Sequence, residues 1–501
     1  WLKAGFKGGR PGRPAPIPGG PPWRRGCPRR RPMPRKRVDP DAKSAGPSRR
    51  ERRQAKEQSK KNDLLGELLP LEQQLASGCT EEQLAALAAL AEHAADPVGR
   101  RVLAAEVPGL LAQLFILCEQ QEPQEMQNAA LQTLAALTAF DKNEEGEQDA
   151  HAILDGGAAE VLGRLLVGSN RRPCEHALGI CVNFASTSLG LRDALVTRGI
   201  AKRVLDAIPI HDAGQPGPIT RKFAELLRVV CSWPVADNAA FRDVVQPLVN
   251  SLAILSTSND DEVLLASLQA LANVKYGDDE RLLPLVKHAT LERLVFLFEQ
   301  PSPEICVLAA RAARQIACGT VTSMQAFLVN QPVPAVCDMM AREEEPSVQR
   351  EGCLLIAEVS ALGGPHVKEV VAAGGVPILK GLLKNEDAGV REAAIRALAA
   401  LTWRSAPPLV GSLVEAEVVP VVVGMLCAAE TSEIVLPALV LLQSLARAGG
   451  VLRAQSKLPS NIFAEALIQV GGLDKLKTIV EMSGDKATCQ RAIAVMEACC
   501  M

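Results

Sequence analysis

Aromatic side chains are scarce in this sequence. Phe, Trp and Tyr together make up 3% of the 501 residues, and Tyr276 is the single tyrosine. Proteins that hold single-stranded nucleic acids stack the bases on aromatic rings. The composition therefore argues against a base-stacking surface, and we do not expect the folded part of the chain to bind nucleic acid.

Long apolar runs are also missing. The longest uninterrupted run, VVPVVVGMLCAA (418–429), has 12 residues and contains a proline and a glycine, whereas a membrane-spanning helix needs about 20 apolar residues. The N-terminal segment is basic and proline-rich and lacks the apolar stretch of a secretory signal. We therefore expect no membrane partner, and a cytoplasmic and nuclear protein. Because the chain begins with Trp1, we also expect a fragment or an uncertain gene model.

No pattern in the sequence is typical of catalysis or of metal binding. The 14 cysteines are scattered without a Cys-x-x-Cys pair, which is typical of reduced, mostly buried thiols in a cytosolic or nuclear protein. No glycine-rich loop is followed by Lys-Ser or Lys-Thr. We therefore expect no enzyme, no metal, no cofactor and no small-molecule substrate. The histidines are dispersed and lack metal-ligand spacing: His93, His151, His176, His211, His288 and His366.

The net charge of −2 hides a strong division along the chain. Residues 1–61 carry 20 Lys and Arg against 4 Asp and Glu, and the remainder carries 35 against 53. Residues 1–47 are rich in Pro, Gly and Arg, so we predict a disordered tail there. Residues 48–69 predict a basic helix. A basic arm on an acidic body favours self-docking or basic ligands, although a solvated, disordered tail is the simpler interpretation.

A helical pattern recurs after residue 80. Two apolar residues, a short break and a helix that ends in paired apolar residues appear repeatedly, as in VVAAGGVPILKGLL (370–383) and LIQVGGLDKLKTIV (467–480). The copies that begin at 285, 327, 370 and 413 are 42 or 43 residues apart. An all-helical period in the low forties is typical of armadillo and HEAT arrays. We therefore predict an all-α armadillo-repeat solenoid, a right-handed superhelix of about ten repeats over residues 80–501.

A second recurring helix lies between these copies, for example CEHALGICVNFAS (174–186) and VREAAIRALAALT (390–402). In an armadillo unit this third helix lines the concave face of the solenoid, which is the usual binding surface. Asn183 lies on this helix. We expect a monomer, since each repeat buries its apolar stripe against its neighbours.

Several strings resemble importin alpha, the adaptor that carries nuclear-localisation-signal cargo together with importin beta. They are LASLQALANVKYGDDERLLPLVKHA (265–289), LAARAARQIACGT (308–320), SVQREGCLLIAEVSA (347–361) and GGLDK (471–475). The resemblance covers roughly residues 80–501. It implies a nuclear import adaptor that binds basic signal peptides in an acidic groove and couples them to importin beta.

The groove of that family carries Trp-x-x-x-Asn pairs on its third helices. The asparagine clamps the peptide backbone, and the tryptophans line slots for Lys and Arg. None of these tryptophans is present in our sequence. Asn183 and Asn273 could act as clamps, or they could be hydrogen-bonded to neighbouring turns or solvated. The groove candidates from this alignment are Asn183, Asn273, Gln132, Gln269, Glu225, Arg311, Gln315 and Glu358; of these, Gln132, Gln269, Glu225 and Glu358 could be ordinary solvated residues.

The resemblance also gives the basic arm a role. In importin alpha such a segment binds importin beta and competes with cargo for the groove. The candidate residues are Arg35, Lys36 and Arg37 in PRKRV (34–38), and Arg49, Arg50, Arg52, Arg53, Lys56, Lys60 and Lys61 in the predicted helix. The alternatives are an unstructured charge run or an arm that tethers the protein to nucleic acid.

Two functions therefore remain open from the sequence. The first is a nuclear import adaptor for basic signal peptides, with importin beta as its second partner. The second is an armadillo-repeat interaction scaffold that does not recognise nuclear signals. The repeat-by-repeat resemblance favours the first, and the missing tryptophans favour the second.

Overall fold

The computed structural model describes residues 49–168, 170–208, 216–232, 239–275, 279–363, 365–403, 417–426, 432–456 and 460–500. The predicted tail (1–47), including Arg35, Lys36 and Arg37, lies outside the described residues. Residues 1–59 and 60–501 form two separate compact units. The helical array belongs to the second unit.

The described residues contain helices and no strand. The first half of the chain contains α1 (Arg49–Leu75), α2 (Thr80–Ala95), α3 (Pro97–Glu106), α4 (Pro108–Glu119), α5 (Gln124–Leu137), α6 (Glu144–Ile153), α7 (Ala159–Val167), α8 (Arg171–Thr187), α9 (Leu189–Thr197), α10 (Ile200–Ala207), α11 (Pro218–Val230), α12 (Ala239–Leu255) and α13 (Asp261–Asn273).

The second half continues the same order. It contains α14 (Asp279–Lys287), α15 (Thr290–Leu297), α16 (Pro303–Ala317), α17 (Val321–Leu328), α18 (Val333–Met340), α19 (Pro346–Ala361), α20 (Pro365–Ala372), α21 (Gly375–Leu382), α22 (Ala388–Trp403), α23 (Val418–Met425), α24 (Ser432–Ser456), α25 (Ile462–Gln469), α26 (Gly472–Met482) and α27 (Lys486–Cys500).

Ten of the described helices are third helices, and each packs against the next: α2, α5, α8, α11, α13, α16, α19, α22, α24 and α27. Small residues permit this close stacking, as in α16, where Ala309, Ala310, Ala312 and Ala313 are all buried. One cluster of buried apolar side chains runs through the array from Leu68 to Val495. The predicted all-α armadillo solenoid of about ten repeats is thus confirmed.

A residue with positive φ separates the first helix of a repeat from the second. Gly374 (φ 76°) and Gly471 (φ 73°) occupy this place before α21 and α26. Each is the first residue of a Gly-Gly pair (374–375 and 471–472), which forms the short break in the repeat pattern of the sequence. Ala289 (φ 51°), Gln331 (φ 50°) and Glu417 (φ 53°) take the same conformation in other repeats. From Ala289 to Glu417 these residues follow the 42- to 43-residue period of the sequence.

Three repeats depart from this pattern. Val107, between α3 and α4, has φ −129°. At the pair Gly156 and Gly157 the chain forms a π-helical segment, Leu154–Ala158, between α6 and α7, with φ 120° at Gly157. Residues 239–255 form the single helix α12, which contains Pro247 in place of a break between two helices.

One helix in the described residues is long and apolar enough to cross a membrane by length and composition. This stretch, Glu433–Gln455, lies in α24, and 56% of it is buried inside the protein. Because α24 packs between α22 and α27, its apolar character is explained by its place in the core. The bent pair of α3 and α4 meets the same criterion only when the two helices are joined across a 95° bend.

Candidate functional site: a charged groove on the third helices

Two adjoining cavities, of about 480 and 410 Å³, lie on the exposed face of the third helices. They share Gln269, Glu304 and Leu308, so they form one groove across α8, α11, α13, α16 and α19. We call this the third-helix groove. Its lining consists of Glu175, Pro218, Arg221, Lys222, Glu225, Arg228, Glu262, Leu265, Ala266, Gln269, Pro303, Glu304, Val307, Leu308, Arg311 and Ser347.

Three of the candidate residues lie together in this groove. Glu225, Gln269 and Arg311 are on the successive third helices α11, α13 and α16, and all three line the cavities. Our alignment places them where importin alpha has ladder tryptophans or, at Arg311, its arginine. The structure thus brings together the residues at those positions, although their chemistry is charged or polar instead of aromatic.

Asn183 lies on α8, outside the lining of these cavities. Its Nδ2 donates to the Ala135 carbonyl at 3.3 Å and to the Thr138 hydroxyl at 3.2 Å, both at the end of α5. The amide therefore joins two consecutive third helices. Its Oδ1 has no hydrogen-bond partner within the described part of the chain, so a peptide N–H would have to bind there.

The remaining candidates are also on third helices but do not line the two cavities. Gln132 is exposed on α5, and Asn273 is half-buried at the end of α13. Gln315 on α16 and Glu358 on α19 are half-buried. Glu358 lies beside Cys318. Burial, as the larger cause, and the negative charge of Glu358 raise the pKa of the Cys318 thiol to about 12. Their role in peptide binding remains a prediction.

Most cations in the groove are paired with carboxylates. Arg221 donates to Asp260 at 2.8 Å, and Lys222 pairs with Glu225 at 2.9 Å. Partial burial opposes ionisation of Asp260, but the Val263 backbone N–H and the Arg221 guanidinium together lower the pKa of this carboxyl group. Asp260 also caps α13, because its carboxylate accepts a hydrogen bond from the Val263 backbone N–H. The ion pair with Asp260 therefore holds Arg221 at the start of α13.

Arg311 forms an ion pair with the buried carboxylate of Glu351. Its Nε donates to Glu351 Oε1 at 2.8 Å, and Arg314 Nε lies 3.7 Å from Glu351 Oε2. The Glu351 side chain is 4% exposed, whereas that of Arg311 is 45% exposed. The buried acid thus fixes a cation that remains accessible in the groove.

Three charged lining residues have no ion-pair partner among the residues described: Glu175, Arg228 and Glu304. The groove therefore carries open charges of both signs. This differs from the acidic groove that the resemblance to importin alpha implies. The difference arises because Arg221, Lys222, Arg228 and Arg311 all face the same cavities as the glutamates.

Sequence reasoning missed several lining residues, including Arg221, Arg228, Glu262 and Glu304. A signal for them was present. Residues three, four or seven positions from Glu225, Gln269 and Arg311 share their helix face, and Glu262 and Glu304 lie seven positions before Gln269 and Arg311.

The candidate arm residues from Arg49 to Lys61 lie on α1 (Arg49–Leu75). Arg49, Arg50, Arg52, Arg53 and Lys56 lie in its first part. The last two candidate cations contact the first repeat of their own unit: Lys60 pairs with Asp96 at 3.2 Å, and Lys61 pairs with Glu106 at 2.5 Å.

The chain is similar to a known repeat family and to a solved structure. The Armadillo/beta-catenin-like repeat family matches residues 365–403, which is the repeat formed by α20, α21 and α22. The crystal structure of an engineered protein has a TM-score of 0.72 and 25% identity, and the match covers 87% of our chain and 99% of the engineered one.

The curated relatives are importin alpha subunits, and their sequence identity to this chain is low. Importin subunit alpha-1a of Oryza sativa subsp. japonica is 22% identical over 232 residues, which are 45% of this chain and 42% of the relative. Importin subunit alpha-4 of Arabidopsis thaliana is 30% identical over 143 residues, 28% of this chain and 27% of the relative. The chain thus spans less than half the length of these relatives.

The protein is therefore an armadillo-repeat protein, with the architecture of a protein-binding scaffold. Within that class it is similar to importin alpha.

Proposed function

We propose that this protein is an adaptor that binds an extended, basic segment of a cargo protein, of the nuclear-localisation type, along the third-helix groove. The carrying observation is that Glu175 and Glu304 line the groove without a basic partner among the described residues. Lys or Arg side chains of a ligand would supply the missing counter-charges through charge-assisted hydrogen bonds.

Recognition in this groove depends on ion pairs and hydrogen bonds, because the ladder tryptophans are missing. Gln269 offers both a donor and acceptor to a peptide backbone or side chain, and it lies where the two cavities meet. Without aromatic slots the contribution of each cation is small, on the order of 1 kcal/mol at an exposed site. Affinity should therefore be modest and should fall as salt screens the charges.

The cargo-binding chain would also need a transport partner. We propose that the basic helix from Arg49 to Lys61 is the segment that binds importin beta or competes for the groove, in the cytoplasm and nucleus. The support is its charge and its resemblance to the importin alpha segment. A pull-down with importin beta should retain the full chain, and a chain that begins at Lys60 should be lost. Equal retention of both chains would rule out this role for the helix.

Fluorescence anisotropy tests the cargo proposal. A labelled lysine-rich nuclear-localisation peptide is titrated with the full chain at about 50 mM and about 200 mM salt. We expect micromolar binding at low salt, and roughly 5-fold weakening for Glu304→Gln, equivalent to about 1 kcal/mol. Glu160→Gln is the matched control, because Glu160 is an exposed first-turn glutamate on α7, outside the groove.

The second candidate is an armadillo scaffold that does not recognise nuclear signals. It is favoured by Arg228 and Arg311, which place cations in the groove. An absence of lysine-rich peptide binding at low salt, both by the full chain and by the chain that begins at Lys60, would reject the import adaptor and leave this scaffold.

A further inference from the structure

The third-helix groove has two edges whose unpaired or loosely paired charges differ in sign, since Arg221 and Lys222 at the start of α11 are paired with Asp260 and Glu225. Glu262 and Glu304 lie in the first turns of α13 and α16, and we call them the acidic edge. Arg228 lies in the last turn of α11, and Arg311 lies seven residues beyond Glu304 on α16. That separation is about 10 Å along a helix. We call Arg228 and Arg311 the basic edge.

Helix dipoles explain part of this arrangement. Acidic residues stabilise the N-terminus of a helix and basic residues stabilise the C-terminus. That effect accounts for Glu262, Glu304 and Arg228 taken one at a time. It does not account for Arg311, which lies in the middle of α16. Since the third helices stack in order, their end charges also fall along the two sides of one groove.

The charges on both edges are accessible to a ligand. Glu262 is 76% exposed and only loosely paired, with Arg221 Nε at 3.7 Å. Arg311 uses its Nε for Glu351, which leaves the terminal nitrogens of a five-donor guanidinium for a second carboxylate. Because Glu351 is buried, it holds the guanidinium in place before any ligand arrives.

An extended peptide can match two such edges at once. Successive side chains of an extended chain point to opposite sides, so alternate residues would face the acidic edge and the basic edge. We propose that the groove selects extended segments in which basic and acidic residues alternate, with the basic residues toward Glu262 and Glu304 and the acidic residues toward Arg228 and Arg311. This inference rests on the proposed peptide binding in the groove and specifies its ligand.

The groove also sets the length of the segment. It crosses five consecutive third helices, and packed helices are about 10 Å apart. The span is therefore roughly 40 Å, which is about 12 residues of extended chain. A uniformly basic segment of that length would place cations beside Arg228 and Arg311, where like charges repel.

The decisive comparison uses peptides that differ only in the order of their residues. We would titrate the full chain, at about 50 mM salt, against three labelled peptides of about 12 residues: alternating Lys-Glu, a block of Lys followed by a block of Glu, and all-Lys. The first two have the same composition and net charge. We expect the alternating peptide to bind at least about 10-fold more tightly than the block peptide.

Charge reversal at each edge tests the proposed direction of contact. Glu304→Lys and Arg228→Glu should each weaken binding of the alternating peptide about 10-fold. Glu160→Lys, the same reversal on α7 outside the groove, should leave binding unchanged. Circular dichroism melts of each variant verify that the fold persists, and Glu262→Lys provides a second acidic-edge variant if Glu304→Lys fails to fold.

The outcomes separate this inference from the broader function. If the all-Lys peptide binds most tightly, the alternation is wrong while groove binding of basic peptides stands. If the alternating and block peptides bind equally, the alternation is wrong, and the all-Lys titration decides whether the groove binds basic peptides. If no peptide binds at low salt, both proposals fall. Tighter binding of the alternating peptide that is lost in the edge variants alone supports the alternation, and the basic-cargo proposal stands with it only if the all-Lys peptide also binds at low salt.

Discussion

Glu351 and Arg311 join the third helices α16 and α19 across the floor of the groove. The Arg311 Nε donates to Glu351 at 2.8 Å, yet the two side chains differ sharply in exposure, at 45% for the arginine and 4% for the glutamate. The buried Glu351 carboxylate depends on Arg311 to compensate its charge, whereas the exposed Arg311 guanidinium can also be hydrated. The two halves of the pair should therefore respond differently to mutation.

We predict that Arg311→Met destabilises the protein more than Glu351→Gln. Loss of the arginine leaves a buried carboxylate with only Arg314 at 3.7 Å, at a cost of about 2 kcal/mol. Loss of the carboxylate frees Arg311 into solvent, and we expect about 1 kcal/mol. Urea unfolding midpoints of the two variants, measured under the same conditions, provide the comparison; the reverse order would contradict the assignment of the buried partner.

Asn183→Ala should lower stability by about 1 kcal/mol, because it removes the amide donors that join α8 to the end of α5. We expect the affinity for a lysine-rich peptide to change less than about twofold, since Nδ2 is directed to Ala135 and Thr138. Thermal melts measure the first effect and anisotropy the second.

A mutant cycle with Thr138→Val sharpens this test. Thr138 accepts from Asn183 at 3.2 Å, so the stability losses of the two single variants should not add in the double variant. A large loss of peptide affinity in Asn183→Ala with no loss of stability would instead establish Asn183 as a peptide clamp.

The sequence predicts the array because its signals are local and periodic. The third helices and the breaks at Gly374 and Gly471 follow from spacing within each repeat. The pairing of Arg311 with Glu351, 40 residues apart, and of Arg221 with Asp260, 39 apart, depends on which helices stack and where long side chains turn. The charge balance of the groove could not be obtained without these pairs, which is why we expected it to be acidic.

Ala289→Gly should stabilise the protein by about 0.5–1 kcal/mol. Ala289 has φ 51° at the junction of α14 and α15, and a left-handed conformation costs an L-residue about 1–2 kcal/mol. Glycine removes that cost but adds freedom to the unfolded chain, which cancels part of the gain. Chemical denaturation midpoints measure the net effect.

The reverse substitution is a matched control. Gly374 has φ 76° at the equivalent junction, and a Cβ there would meet no atom within 4 Å. Gly374→Ala should therefore destabilise the protein by about 1 kcal/mol through backbone strain alone. If Ala289→Gly and Gly374→Ala changed the stability of the protein in the same direction, backbone conformation would not be the cause of either effect.

Buried thiols should make the array sensitive to alkali. Burial raises the pKa of Cys181 and of Cys231 to about 12 from an ordinary 9.0. Since the folded state favours the neutral thiol, this stability is fully present below pH 9 and is lost as the pH rises toward 12, at about 1.4 kcal/mol per pH unit for each thiol. Urea unfolding at pH 8 and pH 10.5 should show the loss. Cys181→Ala should reduce the difference between the two pH values by about 2 kcal/mol, and an unchanged difference would mean that Cys181 does not titrate on unfolding.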